Sequence, residues 1–195
     1  IFIGNEFFDS FPVKQFIKKN NSWFEKYVEI SSESKKIINK KIDIKKIEKK
    51  VGINIEKGQK FIEFSPLIFQ TIKKISKIIN RKNGGLLIID YGYFDNKMFN
   101  TLQAVKKHKK TDILKDAGNA DITHLLNYKI IEKIAKKFKL KVNGLCTQRN
   151  FLIKLGIIKR AEIISKNVTF SEKANIYYRL KRLIDNNQMG EIFKV

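Results

Sequence analysis

LLIIDYG, residues 86–92, decides how the chain reads. Four apolar residues in a row, without polar alternation, predict a strand buried on both faces, as in a parallel sheet covered by helices. The strand ends abruptly in Asp90, Tyr91 and Gly92. Upstream, Leu67, Ile68, Ile72, Ile75, Ile78 and Ile79 recur at helical spacing, and Gly84-Gly85 stops that helix. Ser65 and Pro66 open it, as N-cap and first helical residue, directly after a strand in KFIEF (60–64).

The same pattern stands at the start, where IFIG (1–4) reads as a short buried strand ending in Asn5 and Glu6. A helix-like stretch follows over Val13–Lys18, then a strand in WFEKYVEI (23–30). Residues 31–52 are saturated with lysine and read as a solvated surface excursion. Residues 93–122 read as a long loop rich in Asp, Asn, Lys and Gly, either functional or partly disordered. Thr123 caps a predicted helix over 124–140, and LKVNGLC (140–146) is expected to be a strand. Thr147 caps a short helix ending at Gly156, Ser171 caps a last helix over 172–186, and IFKV (192–195) closes the chain as a strand. Alternating strands and helices argue an α/β sheet with crossover helices.

At 195 residues, 43% hydrophobic and 11% aromatic, the chain has enough apolar surface for one folded domain. No apolar run reaches the length of a membrane span. The single Cys146 rules out an intramolecular disulfide and suits a reducing compartment. The net charge of +22 raises nucleic acid as a partner. Only five of the 41 basic residues are Arg, however, whereas nucleic-acid sites favour its planar fork. The charge therefore reads as a solvated lysine surface, not a nucleic-acid interface. His108 and His124 stand alone, no metal-ligand spacing occurs, and neither a nucleophile elbow nor a glycine-rich phosphate loop is present.

In open α/β sheets ligands bind beyond the carboxyl ends of the strands. If the strands ending in Asn5-Glu6 and Asp90-Tyr91 are neighbours, their polar groups line one crevice; the alternative is that Glu6, Asp9 and Asp90 cap turns. An acidic crevice on a basic protein suits a cationic group, and a guanidinium held by carboxylates is the strongest version.

NEFFDSFPVKQF (5–16), FIEFSP (61–66), GGLLIIDYG (84–92), TLQAVKKH (101–108), ADIT (120–123), TQRNFLIKLGI (147–157) and QMGEIFKV (188–195) occur in this order. Together they resemble the MidA family, S-adenosylmethionine-dependent methyltransferases that assist assembly of respiratory complex I. The resemblance implies a class I methyltransferase fold with a seven-stranded Rossmann-like sheet, and methylation of an arginine in a complex I subunit. It implies that residues 1–195 are the C-terminal half of such a domain, strands four to seven, truncated at both ends, with the glycine-rich cofactor loop upstream. Residues 23–64 would be a small β insertion on the substrate side. This piece alone would bind S-adenosylmethionine poorly.

By the same resemblance Glu6 is the first candidate for gripping the substrate guanidinium, with Asp9 or Glu63 as the second acid. Asn5 and Asp90 fall to the cofactor. Tyr91, His108, Asp121, Thr123 and Gln148 fall to the substrate channel, although turn and cap bonds would equally explain Asp121, Thr123 and Gln148. Leu125, Asn127, Arg149 and Phe99-Asn100 depart from the family pattern. The implied location is the bacterial cytoplasm or, in a eukaryote, the mitochondrial matrix. A homodimer and a non-catalytic assembly chaperone with the same fold are the open alternatives.

Overall fold

The computed structural model describes residues 1–107, 109–115 and 118–195. The chain runs from β1 (Phe2–Asn5) through β2 (Lys14–Lys19), β3 (Ser22–Ile30), β4 (Lys35–Ile42), α1 (Ile44–Val51) and β5 (Phe61–Phe64) to α2 (Pro66–Lys82) and β6 (Leu86–Tyr93). Then come β7 (Gln103–Lys106), β8 (Lys109–Thr111), β9 (Asp121–Thr123), β10 (Leu126–Asn127) and α3 (Tyr128–Lys137). The C-terminal part holds α4 (Gln148–Lys154), α5 (Ile157–Ile164), α6 (Phe170–Ile184), α7 (Met189–Ile192) and β11 (Phe193–Lys194).

β6 is the hub of the first sheet. β1 lies parallel to it in the register Phe2↔Leu86 to Asn5↔Ile89, and β10 is parallel at Leu126↔Gly92. β11 joins antiparallel at Phe193↔Tyr91. The second sheet is antiparallel, in the order β4-β3-β2-β5, and the third is β8-β7-β9. Phe8, Phe16, Ile62, Ile72, Leu126 and Ile134 form the centre of the core between the first two sheets and α2–α3.

α2 starts as its sequence dictates. The Ser65 hydroxyl accepts the Ile68 N–H at 3.2 Å and donates to the Pro12 carbonyl at 2.8 Å. It stops at Asn83, which takes the left-handed cap position itself, with Gly84 and Gly85 following. α1 is capped by Asp43, and Glu48 on it accepts the N–H groups of Ile55 and Glu56, pinning the loop that leads to β5.

Several expectations are corrected. The stretch read as helix-like over Val13–Lys18 is instead β2, Lys14–Lys19, because it finds partners on both edges, β3 and β5, and that pairing overrides a weak local helical pattern. The lysine-rich 31–52 stretch is half hairpin and half helix, with Ile44 and Val51 buried in the core. Residues 93–122 are not one loop but carry β7, β8 and the start of β9. Thr123 belongs to β9, so Asn127 caps the next helix, its side chain accepting the Lys129 N–H at 2.9 Å. LKVNGLC is irregular; the Leu140 N–H donates to the Ala135 carbonyl, and Cys146 makes paired backbone bonds to Val195. Thr169, not Ser171, caps α6, in a reciprocal capping box with Glu172. Ile3 is exposed, and along β6 only alternate residues from Ile88 onward are buried, so neither strand is covered on both faces.

Candidate active site

β6 does not end at Asp90 but runs on to Tyr93, because β11 and β10 pair with its last residues; Asp90 lies one residue past the level where β1 ends, with no exposed surface. Its Oδ2 accepts the backbone N–H groups of Phe7 (3.2 Å), Phe8 (3.0 Å) and Asp9 (3.3 Å), and its Oδ1 accepts that of Tyr91 (2.9 Å). The turn after β1 is therefore wrapped around one side chain of the neighbouring strand, in the manner of an anion-binding nest. Burial and the nearby Asp9 carboxylate push the Asp90 carboxyl up to about 6, against the opposing pull of those N–H donors.

That turn holds Glu6 in the left-handed region, at φ 45°. A non-glycine residue there is strained, and such strain collects at sites where geometry matters more than stability. The Glu6 side chain is exposed and accepts the Tyr91 hydroxyl at 3.4 Å. The Tyr91 ring packs on Phe193 of β11 with centroids 4.1 Å apart. Asn5, last residue of β1, is exposed beside Glu6. Asp9 is buried, and burial raises its carboxyl while the imidazole of His124 pulls it down.

A second polar cluster lies on the antiparallel sheet. Glu63 of β5 is buried and accepts Gln15 Nε2 at 2.7 Å, the Thr101 N–H at 3.4 Å and the Thr101 hydroxyl. Gln15 Nε2 also donates to Asn100 Oδ1 at 2.7 Å. Residues 124–125 join the two clusters, since the His124 N–H donates to the Asp9 carbonyl (3.1 Å) and the Leu125 N–H to the Thr101 hydroxyl (2.9 Å).

The structure thus gathers Asn5, Glu6, Asp9, Asp90 and Tyr91 at one place and puts Glu63 one bridge away. It does not bring in the rest. Asp121 and Thr123 pair with β7, and Thr123 accepts Gln103 Nε2 at 3.3 Å. Gln148 is buried and donates to the Leu183 carbonyl at 3.0 Å, a tie between α4 and α6. His108 lies outside the described residues. His124 is the member that sequence reading set aside: it is 5% exposed, and its Nε2 is buried with no hydrogen-bond partner among the described residues. Only the fold brings it to Asp9, 115 positions away in sequence.

A cavity of about 30 Å³ lined by Glu63, Tyr93, His124 and Asn127 is far too small for a nucleoside cofactor. Asn5 and Glu6, where β1 ends, are exposed polar groups on the surface beside β6. Among the described residues no group of three or more His, Cys, Asp or Glu could hold a metal, and no helix is long and apolar enough to cross a membrane.

Residues 1–146 match the profile of the family described as "Putative S-adenosyl-L-methionine-dependent methyltransferase". The chain belongs to this family. It is 27% identical over 195 residues to "Protein arginine methyltransferase NDUFAF7, mitochondrial" of Danio rerio, an alignment covering 100% of this chain and 46% of that protein. It is 30% identical over 163 residues to "Protein arginine methyltransferase NDUFAF7 homolog, mitochondrial" of Caenorhabditis elegans, covering 82% of this chain and 38% of that protein. The chain spans about half the length of the curated relatives it matches. A COG1565 superfamily crystal structure from Burkholderia thailandensis, bound to S-adenosyl-homocysteine, superposes with a TM-score of 0.77 at 19% identity. That alignment covers 98% of this chain and 51% of the other. The mixed α/β architecture of this family member is thus a methyltransferase fold.

Proposed function

We propose that this chain is the C-terminal, substrate-side half of an S-adenosylmethionine-dependent protein arginine methyltransferase acting on a respiratory complex I subunit during assembly. Its location would be the mitochondrial matrix in a eukaryote and the cytoplasm in a bacterium. Family membership and the names of the relatives support the reaction class. The complex I substrate follows from the motif resemblance. On this reading the sheet around β6 is strands four to seven of the methyltransferase sheet, and residues 23–64 form the substrate-side insertion.

The observation that carries the site is Glu6: a carboxylate on a strained residue, next to the Tyr91 hydroxyl, where β1 ends alongside β6. When bound, S-adenosylmethionine supplies an electrophilic methyl group on a sulfonium, and Asn5 and Glu6 are the residues here that would face it. A guanidinium is a poor nucleophile because its lone pair is delocalised over a cation. Glu6 gripping two of its nitrogens draws positive charge toward them and leaves the third more nucleophilic. Tyr91 fixes the Glu6 side chain, and Asp90 fixes the backbone beneath it. The guanidinium loses a proton as it gains a methyl group, and water at this exposed surface takes it up, while Asp9 is the second candidate acid, buried behind Glu6.

The test is transfer of labelled methyl from S-adenosylmethionine to isolated complex I subunits by the intact gene product. We expect incorporation at arginine, and a loss of about a hundredfold or more in Glu6→Gln. No incorporation by the wild type would refute the enzyme reading; undiminished incorporation by Glu6→Gln would refute the assignment of Glu6.

A further inference from the structure

We propose that one face of the β3–β4 hairpin is the docking surface for the protein substrate, and that it selects an acidic segment with apolar side chains next to the target residue. This rests on the substrate-side reading above and adds to it the face, the residues and the chemistry.

Register identifies the face. Gln15 pairs with Glu63 across β2–β5, and Lys26 pairs with Asn39 across β3–β4. Lys26 Nζ donates to Gln15 Oε1 at 3.3 Å, closing the gap between the two pairs. Glu63, Gln15, Lys26 and Asn39 therefore form one row across the four-stranded sheet, all on one side. The row begins in the buried Glu63 cluster and ends in the open, at Asn39.

Moving outward by two residues on the same side, the next pair is Val28 with Ile37, and the one after is Ile30 with Lys35. Val28 is 52%, Ile37 44% and Ile30 70% exposed. Three β-branched apolar residues thus stand in water on the face that carries Gln15 and Glu63. Lys35 and Lys41 share it, and no ion pair holds either of them among the described residues.

The opposite face of the same hairpin is internally satisfied. Glu29 pairs with Lys36 at 3.0 Å, and Lys40 lies over the Tyr27 ring at 5.2 Å. The asymmetry is the argument: one face has spent its charges on itself, while the other offers apolar groups among unneutralised ammonium groups. A partner that buries the apolar residues must bring carboxylates to the rim. The row ends at Glu63, the alternative second acid, which Thr101 and residues 124–125 link to the Asp9 turn, and this continuity makes that partner the protein substrate.

The test uses the intact gene product and two fluorescein-labelled peptides of about 15 residues. Each has a central arginine flanked by leucines, with glutamates at the remaining flanking positions in one and lysines in the other. By fluorescence anisotropy we expect the glutamate peptide to bind at least about tenfold more tightly. The double variant Val28→Asp/Ile37→Asp should weaken it at least about tenfold. Lys35→Glu/Lys41→Glu should erase the preference between the peptides; both double variants alter exposed side chains, and circular dichroism checks their fold. Equal binding of the two peptides, or undiminished affinity in both double variants, overturns the proposal. Pelleting with phosphatidylglycerol vesicles that Val28→Asp/Ile37→Asp abolishes, with peptide binding intact, assigns the face to lipid and also overturns it. Anisotropy reads binding without turnover, so a protein that transfers no methyl group refutes only the enzymatic reading.

Discussion

The carboxylate of Asp90 accepts the backbone N–H of Phe8 at 3.0 Å, across 82 positions of sequence. With its companion bonds to Phe7 and Asp9, this makes one buried side chain the template for the turn that carries Glu6. The strained backbone of Glu6 persists because that turn is over-determined from the adjacent strand.

The first prediction concerns pH. Below about pH 4 both folded and unfolded chains hold the Asp90 proton. Between there and the folded value of about 6, the folded chain keeps the proton and the unfolded chain releases it, so stability falls as pH rises through this window. The loss is on the order of 2 kcal/mol once solvent screening is allowed for. Urea titrations between these limits should show that limb in the wild type and a flatter one in Asp90→Asn. Parallel curves for the two proteins would rule the assignment out.

Glu6→Gly separates stability from activity. Glycine takes a φ of 45° without the Cβ penalty, so the variant should be more stable by about 0.5 kcal/mol while losing methyl transfer. Thermal melting and the labelled-methyl assay check the two halves independently, and a less stable variant would show that Glu6 is not strained.

Gly92→Ala tests the packing under the site. A Cβ at Gly92 would lie 2.5 Å from the Tyr128 ring and 2.6 Å from the Leu126 carbonyl. Both belong to the β10–α3 junction, which has little room to retreat. We expect a loss of about 2–3 kcal/mol in chemical denaturation; a loss below about 0.5 kcal/mol would mean that the junction yields.

His124→Ala removes the imidazole that pulls the Asp9 carboxyl down, leaving burial to raise it unopposed. The Asp9 titration, followed by carboxyl carbon NMR, should move upward in the variant. An unchanged midpoint would show that the two side chains do not interact.

Much of this architecture can be read from single segments. LLIIDYG announces β6, Ser65-Pro66 announces α2, and the convergence of Glu6 with Asp90 follows once β1 and β6 are taken as neighbours. Pairing between distant segments is less legible. β2 carries a short pattern that suits a helix until β3 and β5 flank it, and with it went the view of Gln15 opposite Glu63. The short strands β7, β8 and β9 exist only by pairing with one another, so a polar, glycine-bearing stretch gave no local sign of them. The Asp90 carboxyl reads equally as a ligand group or a turn cap in sequence; only the positions of three N–H donors decide what it holds.

The hairpin register has an evolutionary corollary. Because sides alternate residue by residue, a single deletion inside β4 would carry every residue beyond it to the other side of the sheet. Ile37 would exchange places with the residues now facing Tyr27 and Glu29. Exchanges of one apolar residue for another, or of one basic residue for another, keep each face of this segment as it is, but a change of its length by one residue does not. Selection on the hairpin should therefore show in the rarity of odd-numbered insertions and deletions as well as in the chemical type of the side chains on each face.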